Sequence, residues 1–84
     1  MDETRQYIES IRKDLEDGAR DATNRAEIVK QQIKELTLSL GGYDANKNFI
    51  TQLWSAYEGY SRVASTLSKT CGQLEEYARR LASG

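Results

Sequence analysis

Apolar side chains recur three or four residues apart along both halves of the chain, a spacing that predicts amphipathic helices. One polar residue, Arg12, interrupts the first pattern, which comprises Ile8, Leu15, Ala19, Ala22, Ala26, Val29, Ile33, Leu36 and Leu40. The second comprises Ile50, Leu53, Tyr57, Tyr60, Ala64, Leu67, Cys71, Leu74, Ala78 and Leu81. Both have the alternating steps of a coiled-coil seam, and together these positions are called the seam below.

A short polar segment with two adjacent glycines separates the two patterns. Gly41 and Gly42 adopt positive φ at low cost, which ends a helix and lets the chain turn. Asp44, Asn46 or Asn48 is expected to cap the helix that follows. The chain contains no proline to kink either helix.

These patterns predict an all-α fold, an antiparallel two-helix hairpin that forms one domain over residues 1–84. Helix 1 is predicted over about 3–40, the turn over about 41–46 and helix 2 over about 47–82.

Opposed seams would pair in a defined order, with small residues in the middle that allow a close approach or leave a shallow groove. Outwards from the turn, the expected neighbours are Leu40 with Ile50, Leu36 with Leu53, Ile33 with Tyr57, Val29 with Tyr60, Ala26 with Ala64, Ala22 with Leu67, Ala19 with Cys71, Leu15 with Leu74, and Ile8 or Ile11 with Ala78 and Leu81. Tyr57 and Tyr60 are expected to be core residues.

Helix 2 carries more apolar surface than one seam needs. A further seven-residue repeat contains Phe49, Ala56, Val63 and Tyr77, with Thr70 completing it, and Trp54 stands apart on the same helix near the turn. A third apolar position per heptad widens the apolar face from a two-helix seam to a bundle face. We therefore expect the hairpin to complete a four-helix bundle with a partner or a second copy.

Charge and composition narrow the classes of function. The formal net charge is −1, the mean hydropathy is −0.73 and acidic and basic residues alternate along the first helix. A nucleic-acid binder would show a basic face, and a membrane span would need about 18 apolar residues in a row. We expect neither, and no cleaved secretory signal is evident.

Catalytic chemistry has few candidate residues here. The chain has no histidine, and its single cysteine, Cys71, lies on the seam and is expected to be a small buried hydrophobe. The segment 44–48 imitates the start of a calcium loop, but Phe49 and Ser55 stand where glycine and glutamate are required. The sequence therefore predicts no enzyme, no cofactor, no metal site and no small-molecule substrate.

The whole chain resembles the small Esx-like substrates of type VII secretion, two helices of about 40 residues joined by a Trp-Xaa-Gly turn. Leu40-Gly41-Gly42 would occupy that turn, with Leu40 in place of the signature tryptophan, and Ala45 and Phe49 follow where that family often has a small residue and an aromatic. Tyr77 is followed by Leu81 rather than by the acidic residue of the export signal. The closer resemblance is to accessory members that pair with the helical domain of a larger secreted toxin.

That resemblance implies a secreted partner or targeting chaperone, cytoplasmic before export and exported without a cleavable signal peptide. Leu40, Gly42 and the segment 49–54 would be its recognition region. With the turn motif Leu40, Gly41 and Gly42, the predicted partner interface comprises Phe49, Leu53, Trp54, Ala56, Val63 and Tyr77.

Two alternatives remain open. Small hairpin cochaperones of type III secretion needle subunits are similar in having a Gly-Gly turn followed by a polar stretch and an aromatic, as Gly41, Gly42 and Trp54 do here. A homo-oligomeric coiled-coil module would need only the two seams.

Overall fold

A computed structural model of the chain, which describes residues 2–41 and 47–83, contains two long helices. Helix α1 spans Asp2–Leu40 with 39 residues, and helix α2 spans Lys47–Ser83 with 37 residues. The described residues contain no strand, so the all-α prediction is confirmed. Each helix extends one residue beyond its predicted range at the end away from the turn.

Helix α1 ends at a glycine in the left-handed conformation. Gly41 has φ 65°, as the sequence predicted for it, and its amide donates to the carbonyl of Leu38 at 3.2 Å. This is one of the two hydrogen bonds of the Schellman motif, which satisfies a carbonyl of the last turn. Gly42 and two of the predicted caps, Asp44 and Asn46, lie outside the described residues. Asn48 lies inside α2, so its prediction as a cap is wrong.

The core of the hairpin is a narrow line of small residues. The least exposed side chains all lie on the seam: Ala19, Ala22, Ala26, Ile33, Ala64 and Cys71. Most other seam residues are half-buried, and no polar or charged side chain is buried among the described residues. Because alanine buries little apolar area, this line stabilises the fold less than leucines at the same positions would.

Residues early in α1 lie against residues late in α2. The Cys71 sulfur is 3.5 Å from the carbonyl oxygen of Arg12, and the guanidinium of Arg12 is 3.6 Å from Glu75. Ile8 borders a groove together with Ala78 and Leu81. Ile11, the other residue predicted for that position, is exposed instead.

Small residues line the middle of the hairpin. A methyl group added at Gly18 would lie 3.2 Å from a methyl carbon of Leu67, and Ala26 and Ala64 line one shallow groove. The molecule is a rod of 61 × 14 × 13 Å, which matches the length of its helices at about 1.5 Å per residue. Neither α1 nor α2 has a stretch long and apolar enough to cross a bilayer.

Candidate interaction surface

One face of α2 carries apolar side chains that remain about half exposed in the described part of the hairpin. Phe49 is 54% exposed and Val63 and Tyr77 are each 50% exposed, and Ala56 and Thr70 are exposed as well. Residues seven apart lie along one line of a helix, so these five form a continuous strip beside the seam. The strip comprises four of the predicted interface residues.

A second line of uncharged residues, absent from the predicted interface, runs beside this strip. Gln52, Gly59, Thr66 and Gln73 fall between its members, which restores alternating three- and four-residue steps. We call the combined set the outer seam: Phe49, Gln52, Ala56, Gly59, Val63, Thr66, Thr70, Gln73 and Tyr77. It carries no charge, and a methyl group added at Gly59 would meet no atom within 4 Å. The signal in the sequence is the spacing of uncharged residues rather than of apolar ones.

The remaining two predicted interface residues, Leu53 and Trp54, are half-buried. Trp54 is half-buried, and its ring meets Tyr57 edge to face with centroids 5.6 Å apart and planes at 88°. Leu53 is half-buried on the seam. Edge-to-face geometry places the positive edge of one ring on the negative face of the other, which stabilises the pair beyond its buried area.

Tyr60 was predicted to be a core residue, and it is 38% exposed, so that prediction is wrong. It lies four residues after Ala56 and three before Val63, which makes it a neighbour of both on the helix surface. The pKa of Arg25 is raised, first by its hydrogen bond to Asp21 at 2.9 Å and to a smaller extent by Tyr60. Tyr60 therefore extends the exposed apolar surface towards α1.

The turn motif is described only in part. Leu40 is half-buried at the end of α1, and Gly41 is exposed with the positive φ given above. Gly42 lies outside the described residues.

A polar cluster joins the two helices away from the turn. The Arg12 side chain is 25% exposed, and its guanidinium donates to Glu9 and, at 2.8 Å, to Glu16, with Glu75 of α2 at 3.6 Å. The hydrogen bonds that Arg12 donates to Glu9 and Glu16 raise the pKa of Arg12, and the bond accepted from Arg12 lowers the pKa of Glu9. The sequence showed Arg12 only as an interruption of the apolar pattern, and its seam position is the signal for a contact with α2.

Cys71 is buried beside this cluster, in the core position that the sequence predicted. Burial raises the pKa of its thiol, and the nearby Glu75 carboxylate, 3.7 Å from the sulfur, raises it further. A thiol held in its neutral form is a poor nucleophile.

Among residues 2–41 and 47–83, no three side chains of the histidine, cysteine, aspartate or glutamate type form a group able to hold a metal ion. The fold and its surface define a helical hairpin with an uncovered second seam on α2. Comparison with protein-family models, curated proteins and solved structures found no match.

Proposed function

We propose that this protein is a non-enzymatic helical interaction protein whose outer seam binds another helical protein. The hairpin is antiparallel in this proposal, and the partner's helices complete a four-helix bundle around it. The observation that carries the proposal is the exposed line of Phe49, Val63 and Tyr77 on a helix whose other apolar face is already covered.

The energetics favour a covered outer seam. Removing a large apolar side chain from water stabilises a complex by up to about 1.5–3 kcal/mol for full burial. The three large side chains of the outer seam are Phe49, Val63 and Tyr77, and each is about half exposed. Burying the exposed half of each on binding would therefore gain a substantial part of that free energy. Aromatic residues are typical anchors of protein interfaces, because they bury large area with few rotatable bonds.

We place this activity in a specialised bacterial secretion system, on the resemblance to Esx-like accessory proteins carried by Leu40, Gly41 and Gly42. The hairpin would act as a secreted partner or targeting chaperone for a larger type VII substrate. It would be cytoplasmic before export and leave without a cleavable signal peptide. The half-buried Leu40 and the positive φ of Gly41 are compatible with a helix-ending turn of this kind.

A tagged pull-down from the source organism, read by mass spectrometry, tests both parts of the proposal. The wild type is compared with Val63→Glu, which places a charge in the middle of the outer seam. Ser65→Glu is the matched control. It adds the same charge to α2, but at an exposed position on another side of the helix. Arg62 and Lys69 lie three and four residues from position 65 and stabilise a glutamate there.

We expect a large protein with a helical domain to be recovered with the wild type and with Ser65→Glu, and to be lost with Val63→Glu. Equal recovery with both variants would show that the outer seam is not the binding surface. Recovery of a small needle-like subunit would support the outer seam as the binding surface, but would assign the protein to type III rather than type VII secretion.

A further inference from the structure

The outer seam is chemically symmetric about its middle residue. Val63 is flanked on both sides by small residues, Gly59 and Ala56 before it and Thr66 and Thr70 after it. Beyond these stand Gln52 and Gln73, and the two ends are the aromatics Phe49 and Tyr77. Read in either direction, the order is aromatic, glutamine, two small residues, valine, two small residues, glutamine, aromatic.

Such symmetry is what a two-fold interface requires. In an isologous contact, residue i of one copy meets residue j of the other, and j meets i. If α2 lies antiparallel to α2 of a second copy with Val63 on the axis, Phe49 faces Tyr77, Gln52 faces Gln73 and the small residues face one another. Aromatics then pair at both ends, and glutamines can exchange hydrogen bonds.

The middle of the outer seam suits a close helix–helix contact. Gly59, Ala56 and Thr66 have short side chains, and the space above Gly59 is open. The outer seam has no charge, so two copies meet without like-charge repulsion along its length. The corresponding outer positions of α1 carry the exposed Tyr7, Ile11 and Ile28 but are interrupted by Asp14, Asp21, Arg25 and Glu35, so the uncharged line is unbroken only on α2.

The angle between the two seams of α2 also fits a bundle. At about 100° per residue, the outer seam lies about 100° around the helix from the seam that faces α1. The two neighbours of a helix in a square four-helix bundle are separated by about 90°. A second copy would therefore lie beside α1 rather than on the far side of α2.

The elongated hairpin exposes more surface than a compact chain of the same mass. The chain exposes 6662 Å², whereas a compact monomer of 9.5 kDa exposes about 5,000 Å². The excess of about 1,600 Å² is twice the roughly 800 Å² that each partner buries in a standard interface.

From the symmetry, the missing charge and the area, we propose that the partner of the outer seam is a second copy of this chain, bound antiparallel through α2 with Val63 on the two-fold axis. This inference rests on the interaction surface proposed above: in the isolated chain a second copy occupies the outer seam, and the larger helical partner of the proposed function would displace it.

The oligomeric state of the purified chain is the first test, measured by sedimentation equilibrium over a range of concentrations. We expect a dimer for the wild type and for Ser65→Glu. Val63→Glu places two glutamates on the axis and should raise the dissociation constant at least about 100-fold. A wild type that stays monomeric, or a dimer that Val63→Glu leaves intact, would overturn the proposal. Circular dichroism of each variant verifies that the helices are retained.

Crosslinking tests the orientation in a Cys71→Ser background, in which the hydroxyl can still donate to the Arg12 carbonyl. With a short bismaleimide, Val63→Cys should link to itself, whereas Ser65→Cys should not. A mixture of Phe49→Cys and Tyr77→Cys chains should link to each other, because the two ends meet only when the helices are antiparallel. Links of Phe49→Cys to itself would indicate a parallel pair and overturn the proposed geometry.

These outcomes are separable from failure of the proposed function. A monomeric chain whose pull-down partner is lost with Val63→Glu but kept with Ser65→Glu would exclude the second copy and retain a helical partner on the outer seam. A monomer whose pull-down is insensitive to Val63→Glu would exclude both.

Discussion

Two aromatic residues near the start of α2 differ in what they contact. Trp54 is half-buried and meets Tyr57 edge to face at 5.6 Å, whereas Phe49 is 54% exposed. Residue type alone predicted a shared interface role for Trp54 and Phe49. The contact with Tyr57 gives Trp54 a part in packing along α2, and the interface role of both residues stays a prediction.

We therefore expect Trp54→Ala and Phe49→Ala to differ in their effect on folding. Trp54→Ala removes a half-buried ring and its partner contact, and should lower the free energy of unfolding by about 2 kcal/mol. Phe49→Ala should change it by less than about 0.5 kcal/mol. Urea unfolding followed by circular dichroism measures both, in a Val63→Glu background so that association does not contribute. Equal losses would place Phe49 in the folded core.

The contacts that Arg12 makes with α2 could not be predicted from the sequence, whereas its contacts within α1 could. Its i,i+3 and i,i+4 partners, Glu9 and Glu16, can be read directly from the spacing. Its contact with Glu75 and its carbonyl's contact with Cys71 depend on how far along α1 the second helix lies. Local pattern does not fix that position, because a shift by one heptad leaves the seam apolar.

At the scale of the helices, the centre of α1 is built from residues with little or no side chain. Gly18, Ala19, Ala22 and Ala26 face the middle of α2, where Leu67 lies against Gly18. Glycine inside a helix costs about 1 kcal/mol relative to alanine. A methyl group at position 18 would lie 3.2 Å from a methyl carbon of Leu67, which offsets part of the helix propensity that alanine would add there.

Alanine substitutions at two glycines should separate the contact from the helix propensity. Gly72→Ala meets no atom within 4 Å and should raise the free energy of unfolding by about 0.5–1 kcal/mol. Gly18→Ala gains the same propensity but pushes a methyl group to 3.2 Å from Leu67, so its gain should be smaller. Gly18→Val should fall below the wild type. Thermal unfolding gives the order of stability of the variants. Equal gains for the two alanine variants would mean that the Leu67 side chain moves aside without cost.

The helices themselves were predictable because their signals are local. The spacing of the apolar residues and the positive φ of Gly41 are enough to place α1 and α2. The errors occur where burial depends on the width of the hairpin. Two helices cover only one face of each other, which leaves Tyr60 and Ile11 exposed at its edges.

As a whole, the molecule has a long surface and a thin core. A rod 61 Å long and about 14 Å wide has few side chains surrounded on all sides, and the buried ones are mostly alanines. Small chains of this kind gain stability from association, since binding to the folded form shifts the folding equilibrium by mass action. The outer seam and the thin core are therefore two aspects of the same architecture.

Two side chains of the chain can be used to measure the separation of its two helices. Its single tryptophan lies towards the turn, and its single cysteine is buried 17 positions further along α2, about 26 Å away. Fluorescence of Trp54 follows one part of the rod, and the rate at which a thiol reagent labels Cys71 follows the other. We expect both to give one free energy of opening, because the two helices hold each other in place along the whole rod. Faster labelling of Cys71 would show that the end distant from the turn opens alone.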